Sequence, residues 1–493
     1  MSTQSTPGSR LLRKKPVATL IAESGVADAP PVGAPEEGGR SGIHLRRSIG
    51  LWQLSSIGIG ATVGTGIFFV LSSAVPEAGP AVVLSFLLAA VTAGLTALCY
   101  AEMASAIPVS GSSYSYAYAT LGEIVAFGVG VCLLLEYGVS ASAIAVSWGQ
   151  YLNKFFDLAF GFTLPEWMAA PPGDGGVFNL PAVILVAMVV TLLIRGASES
   201  ARVNAAMVVI KIVILLLFIA IGLTGFQAGN LTPFMPLGIG GIGVAASSIF
   251  FSFIGLDAVS TAGEEVKNPR RTLPAAIIIS LVVVTLLYIG VAVTAVGAQP
   301  WQQFDGQEAG LAQILQDVTG QSWPAVMFAV GAIVSIFSIT LVVIYGQTRI
   351  LYSMGRDGML PKKFAELSPR TGTPVWNTVV VGLGVSVLAA FVPLDILTDL
   401  TSLGTLVAFS VVSVGVVILR RTQPDLPRGF KVPGYPVVPV LSVGFCAYLI
   451  SELHAVTYAF FGAALAVAAV VYFGYSVKHS KLDRPDPEPT RTG

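Results

Sequence analysis

The sequence predicts an all-α polytopic membrane protein of twelve transmembrane helices, ten in two successive groups of five, the second inverted relative to the first, and two more at the C-terminal end. Hydrophobic residues make up 54% of the chain and charged residues 11%, where a soluble domain carries roughly 25% charged. Apolar runs long enough to cross a ~30 Å hydrocarbon core recur along the chain. The basic residues support the count. With the N-terminus in the cytoplasm, all of the 27 lysines and arginines except Lys154 and Lys211 fall in or beside segments on that side, as the positive-inside rule requires. A wrong number of spans would scramble this distribution.

Residues 1–45 are rich in Pro, Gly, Ala and Ser and read as a disordered cytoplasmic tail; the apolar patch at 17–22 is too short for a signal peptide. Spans follow at about 52–73, 80–107, 123–152, 177–195, 203–226, 240–262, 274–298, 325–353, 375–393, 396–420, 435–452 and 455–475. They group into a first repeat at 46–227, a second at 236–421 and an added pair at 434–475, with a polar tail at 476–493. Both termini are expected in the cytoplasm and the spans in the plasma membrane. A formal net charge of zero offers no field for nucleic acid. Cys99, Cys132 and Cys446 lie in apolar spans without metal spacing or a disulfide pattern. No zinc motif, P-loop or nucleophile elbow supports an enzyme or an ATP-driven machine.

Span 1 contains GIGATVGTGIFF, with Gly58, Gly60, Gly64 and Gly66 separated by Thr62 and Thr65. Each glycine weakens a helix by about 1 kcal/mol relative to alanine, so the helix is expected to be interrupted. Irregular backbone at that depth is tolerated only against protein or a water-filled cavity. Its free N–H groups and positive dipole end suit a carboxylate. The same glycines also fit close helix packing, Gly60 and Gly64 forming GxxxG. Span 6 repeats the pattern in SSIFFSFIGLDAVSTAGEE, where Ser252 and Gly255 fall near the middle and Asp257, Ser260 and Thr261 follow. Gly64 and Ser252 each lie about 18 Å in from opposite faces at 1.5 Å per residue, near the midplane. Broken helices in corresponding positions of two inverted halves point to a binding site between them.

Glu136 in span 3 and Lys211 in span 5 are ionisable residues at membrane depth, each costing some 2.5 kcal/mol or more in lipid. Both should face the bundle interior, where they form a static pair, bridge helices, or exchange a proton near neutral pH. Asp257 is either a helix-cap partner or a site residue. Glu102, at the inner end of span 2, suits a gate or a loop anchor. Ser338, with Ser335 and Thr340 on span 8, lines a polar path or bridges helices. Glu264 and Glu265 are expected to pair with Lys267, Arg270 and Arg271.

Four stretches together, GIGATVGTGIF, YAEM…IPVSGSSYSYAY, GLDAVSTAGEEVKNPRRTLP and GQTRILYSMGRDGMLP, resemble an amino acid permease of the amino acid–polyamine–organocation superfamily. The similarity runs from about residue 46 to 475 and is greatest to the cationic amino acid transporter branch and its bacterial relatives. The resemblance implies the LeuT-like inverted repeat with discontinuous helices 1 and 6. It places a substrate carboxylate on the amides of Thr62, Val63, Gly64, Thr65 and Gly66. It places the substrate ammonium on carbonyls of Phe251, Ser252, Phe253 and Ile254, beside Gly255. Lys211 matches the fifth-helix lysine of proton-linked members and stands where sodium-coupled relatives hold an ion. Protons are therefore the expected coupling ion, with no sodium site, metal or other cofactor. Glu136 matches a third-helix glutamate of the cationic branch. The expected function is proton-coupled import of an L-amino acid by alternating access, with an exchanger and a non-transporting sensor as rivals. The expected partners are the amino acid and the lipid bilayer; a monomer and a complex with a small membrane protein both fit.

Overall fold

The computed structural model describes residues 13–17, 19–20, 49–64, 66–109, 112–196, 201–261, 266–369 and 371–480. Among these the regular structure is helical, with no strand. The first predicted span is two helices, α1 (Leu51–Thr62) and α2 (Val70–Ala78). Gly79, at φ 64° and ψ −149°, separates α2 from the next segment. Then come α3 (Val82–Ala106), a short α4 (Ser112–Thr120), the long α5 (Glu123–Phe160), α6 (Leu180–Ile194) and α7 (Ala201–Gly222). The sixth predicted span is again split, into α8 (Gly238–Ile249), a tight 3-10 turn (Phe250–Phe253) and α9 (Ala258–Thr261). The remainder comprises α10 (Pro269–Ala298), α11 (Gly310–Thr319), α12 (Ser322–Arg356), α13 (Val375–Phe391), α14 (Leu394–Thr422), α15 (Val437–Ser451) and α16 (Ala455–Val471). Eight helical runs among the described residues are long and apolar enough to cross a membrane, and α6, α13 and α15 are shorter apolar helices.

The long α5 runs through the centre, packed along α12 and α14, while α3 packs on α10 and α2 on α8. Residues 138–147 of α5 read GVSASAIAVS and are buried throughout. Side chains this small let neighbouring helix backbones approach closely without a hydrophobic driving force. Large apolar residues on peripheral helices point outward instead, Leu286 at 67% and Val470 at 74% exposure. A lipid-facing surface would look like this.

The two split helices are joined at their Lys/Arg-rich ends. Ile49, just before α1, forms an isolated parallel bridge with Val266, which follows α9, and the Lys267 N–H donates to the Ile49 carbonyl at 2.9 Å. The same end holds part of the N-terminal segment. Lys15 N–H donates to Tyr118 O at 3.2 Å, and Glu123 N–H donates to Arg13 O at 2.9 Å. Val17 and Leu20 are buried, and Lys15 Nζ stands 4.0 Å from the Asp357 carboxylate. Apolar anchors and an acidic partner thus order residues 13–17 and 19–20 of a tail expected to be disordered. Its remaining residues lie outside the described ones.

Glu102 is a structural staple. Its buried carboxylate accepts from Arg420 Nε at 2.7 Å, Arg420 Nη2 at 2.5 Å and the Val432 N–H at 2.7 Å. Arg428 Nε lies 3.3 Å away. These contacts pin the α14–α15 connection to the end of α3. Removing one partner of a buried pair costs about 3–5 kcal/mol. Glu102→Ala is therefore expected to lower the melting temperature of the purified protein more than any substitution at exposed Trp52.

At the opposite end, Asp399 of α14 gathers three elements. The His454 Nδ1 lies 2.7 Å from Asp399 Oδ2, Thr457 Oγ1 donates to that oxygen at 3.5 Å, and Ser248 of α8 donates to Oδ1 at 3.4 Å. The hydrogen bond to Asp399 holds His454 above its ordinary 6.5, with the charges of Asp399, Glu77 and Asp395 adding to it and partial burial opposing it. A raised folded-state value stabilises the protein below the ordinary histidine range, and that stability is lost as pH rises through the folded value. The melting temperature of the wild type should therefore fall more than that of His454→Gln between about pH 6 and pH 8.

Candidate functional site

The chain leaves α1 at Val63, whose φ −70° and ψ 112° are extended, and Gly64 follows at φ +116°. Helix resumes at Val70. In the second split helix the 3-10 turn ends at Ile254, at φ −65° and ψ 145°, and Gly255 follows at φ +103°. Both breaks thus turn on a glycine in a region that side chains disfavour. They also touch. A Cβ on Gly255 would stand 2.6 Å from the Ala61 carbonyl oxygen, and Gly66 lies against Phe251 and Ser252. The rings of Phe69 and Phe251 are 5.6 Å apart. The N-terminal end of α2 and the C-terminal end of α8 with its turn are therefore presented at one point. The first carries a partial positive charge and the second a partial negative one.

Unwinding frees backbone carbonyls, and in an apolar interior each needs a donor. Three helices supply them. Lys211 of α7, 2% exposed, donates from Nζ to Gly60 O at 3.0 Å. Tyr288 of α10 donates to Thr62 O at 2.8 Å. Tyr151 of α5 donates to Phe68 O at 2.7 Å. The amide hydrogens of Gly66, Ile67 and Phe68 donate to no backbone carbonyl among the described residues, and amides outside the helical ladder at a helix start suit an anion. The two tyrosines are absent from the sequence reading. A tyrosine in an apolar span looks like core, and only its buried hydroxyl at membrane depth hints at a polar partner.

Beside the breaks is a cavity of about 30 Å³, close to the volume of one water molecule. Its walls include Ala61 and Ile254, Ile339 and Val343 of α12, and Glu136 and Ser140 of α5. Glu136 is 1% exposed, and neither of its carboxylate oxygens has a hydrogen-bond partner among the described residues. The Glu136–Lys211 pair, one of the alternatives open in the sequence, therefore does not form. Asp257 caps α9, its carbonyl accepting from the Ser260 N–H at 2.8 Å, while its Oδ2 accepts from Ser112 of α4 at 3.4 Å. It ties the second break to α4. Ser338 is buried on α12 next to the cavity residue Ile339. Val63, Phe251 and Phe253 are buried at the breaks as well. Thr65, Glu264 and Glu265 lie outside the described residues. No cluster of His, Cys, Asp or Glu suited to a metal ion occurs among the described residues.

Gly255→Ala tests the contact between the breaks, since it combines a left-handed φ with an approach to Ala61 O that no Cβ tolerates. Backbone strain of this kind costs about 1–3 kcal/mol. The variant is expected to melt several degrees below the wild type, whereas Gly384→Ala, where a Cβ would meet open space, is expected to melt at or above it.

A family model described as amino acid permease matches residues 49–480, which include both breaks. The chain is 44% identical to the branched-chain amino acid permease BcaP of Bacillus subtilis, over 89% of this chain and 95% of that relative. It is 40% identical to the methylthioribose transporter of the same organism, over 97% of this chain and 100% of that relative. With the vacuolar cationic amino acid transporter 4 of Arabidopsis thaliana it shares 37% identity over 78% of this chain and 64% of the relative. Two helices broken at a common contact, inside a membrane-type bundle matched over nearly its whole length, make this chain a member of the amino acid permease family, a transporter and not an enzyme.

Proposed function

We propose that the protein imports an L-amino acid with an aliphatic side chain across the plasma membrane, coupled to protons, by alternating access. The reading takes the twelve predicted spans as two inverted repeats plus two added helices, with both termini in the cytoplasm. The observation that carries it is the meeting of the two breaks, where a helix start and a helix end of opposite polarity converge. There the amides of residues 62–66 would receive the α-carboxylate and the carbonyls of residues 251–254 the α-ammonium. The side chain would extend along Ala61, Ile254, Ile339 and Val343, the apolar part of a lining that also holds Glu136 and Ser140, and an apolar surface of this kind suits an aliphatic side chain. The 44% identical relative, a branched-chain amino acid permease, points the same way. The cavity is too small for an amino acid, so substrate enters only as the walls separate.

Lys211 couples the proton in this reading. Its ammonium rests on the Gly60 carbonyl, and a Cβ on Gly64 would stand 3.5 Å from its Nζ. Loss of its proton would weaken its hold on the very carbonyl that the break leaves bare. In this reading the Lys211 ammonium takes the place where sodium-coupled relatives of the fold hold an ion, so no sodium dependence is expected. Glu136, buried at the cavity wall, tunes the pocket or the proton path.

The test is uptake into proteoliposomes, with and without an imposed proton gradient. The panel comprises leucine, isoleucine, valine, lysine, arginine and methylthioribose, the last because a relative bears its name. Gradient-driven accumulation of the aliphatic amino acids is expected, and Lys211→Ala should abolish accumulation while leaving a folded, monodisperse protein. Counterflow indifferent to pH would identify an exchanger instead. Binding without uptake would identify a sensor.

A further inference from the structure

We infer that Tyr151 is the positioning residue that closes the outer half of the first broken helix over the site, an inference that rests on the alternating-access reading above. The outer half, α2, begins after Phe68 and Phe69, and its closed position brings Phe69 against Phe251. Phe68 is held from both its side chain and its backbone. Its ring packs edge-on to Tyr151 at 6.0 Å and tilted on Phe328 of α12 at 5.9 Å. Phe328 rests in turn on Tyr151 and on Phe218 of α7, so three scaffold helices form a socket for one ring. The Phe68 carbonyl lies outside the helical ladder, because the Ser72 N–H that would reach it at i+4 donates to Phe69 O instead. The Tyr151 hydroxyl takes that carbonyl at 2.7 Å, and Tyr151 is fully buried, so water cannot substitute while the site is closed.

The inner half of the helix is held by other groups, Lys211 on Gly60 O and Tyr288 on Thr62 O. The two tyrosine hydroxyls therefore sit on opposite sides of Gly64. Removing the Tyr151 hydroxyl leaves a buried carbonyl unpaired only in the outward-closed state, while opening hydrates it. Removing the Tyr288 hydroxyl penalises the inner half alone. A buried group left unpaired costs about 1–3 kcal/mol, or roughly tenfold or more in the equilibrium between closed and open forms.

The experiment uses Ser140→Cys, a near-isosteric reporter in the cavity wall, with the three buried native cysteines as background. Intact cells are treated from outside with a membrane-impermeant methanethiosulfonate reagent. Ser140→Cys with Tyr151→Phe is expected to label about tenfold faster than Ser140→Cys alone, while Ser140→Cys with Tyr288→Phe gains nothing from that side. Phe68→Leu, which empties the ring socket but keeps the hydroxyl bond, should also speed outside labelling, so a misfolded Tyr151→Phe does not end the test. In transport, Tyr151→Phe should lower turnover at unchanged or lower external KM, because closure and not binding is impaired. Equal outside labelling in all backgrounds, or an equal gain in Tyr288→Phe, overturns the inference. Failure of the wild type to take up any member of the panel overturns the transport reading, and the labelling rates still decide the role of Tyr151.

Discussion

The structure depends on how the carbonyls bared by unwinding a helix in an apolar interior are satisfied. A helix normally pairs its own backbone, and a membrane offers no water to replace those bonds. Here the replacement donors are borrowed from helices far away in sequence: an ammonium from α7 and hydroxyls from α10 and α5. Each donor fixes one carbonyl, and together they define where the chain leaves and resumes its helix. The glycines make the bend sterically possible, but they do not hold it. The bend is held by side chains on elements that do not themselves unwind.

The surrounding packing serves the same end. The small residues at 138–147 of α5 let α12 and α14 pack closely along it. The Glu102–Arg420–Arg428 staple and the Asp399–His454 contact fix the far ends of α14, so the frame around the breaks is tied at both ends. Within that frame lie the amides of Gly66, Ile67 and Phe68, which donate to no backbone carbonyl among the described residues, and the buried Glu136 carboxylate at the cavity.

Much of this is legible in the residues. Hydropathy marks each apolar stretch that turns out helical, because the cost of exposed backbone in lipid forces helix on any such run. The glycine clusters at 58–66 and around 255 mark the two interruptions, and the cost of charge in lipid singles out Lys211 and Glu136. What escapes is what depends on long-range partners. Tyr151 meets a carbonyl 83 residues away and Tyr288 one 226 residues away, and no local pattern distinguishes them from core aromatics. Lys211 meets the Gly60 carbonyl, a partner that no charge pattern in the sequence suggests. The docking of Val17 and Leu20 escapes too, since two apolar side chains in a polar tail carry too weak a signal. Helix ends also drift: α5 continues to Phe160 and α2 to Ala78, because helix persists beyond the apolar stretch wherever the backbone is still paired.

The bridge between Ile49 and Val266 has a mechanical corollary. One peptide contact clasps the root of α1 to the strip that follows α9, so the inner leaves of both split helices hang on a shared pivot. If the proposed alternating access holds, a push on either leaf would be conveyed to the other without passing through the pocket. Under the alternating-access proposal, the inner doorway would swing as one panel, and a cargo gripping only one of its two edges would still carry the whole panel with it.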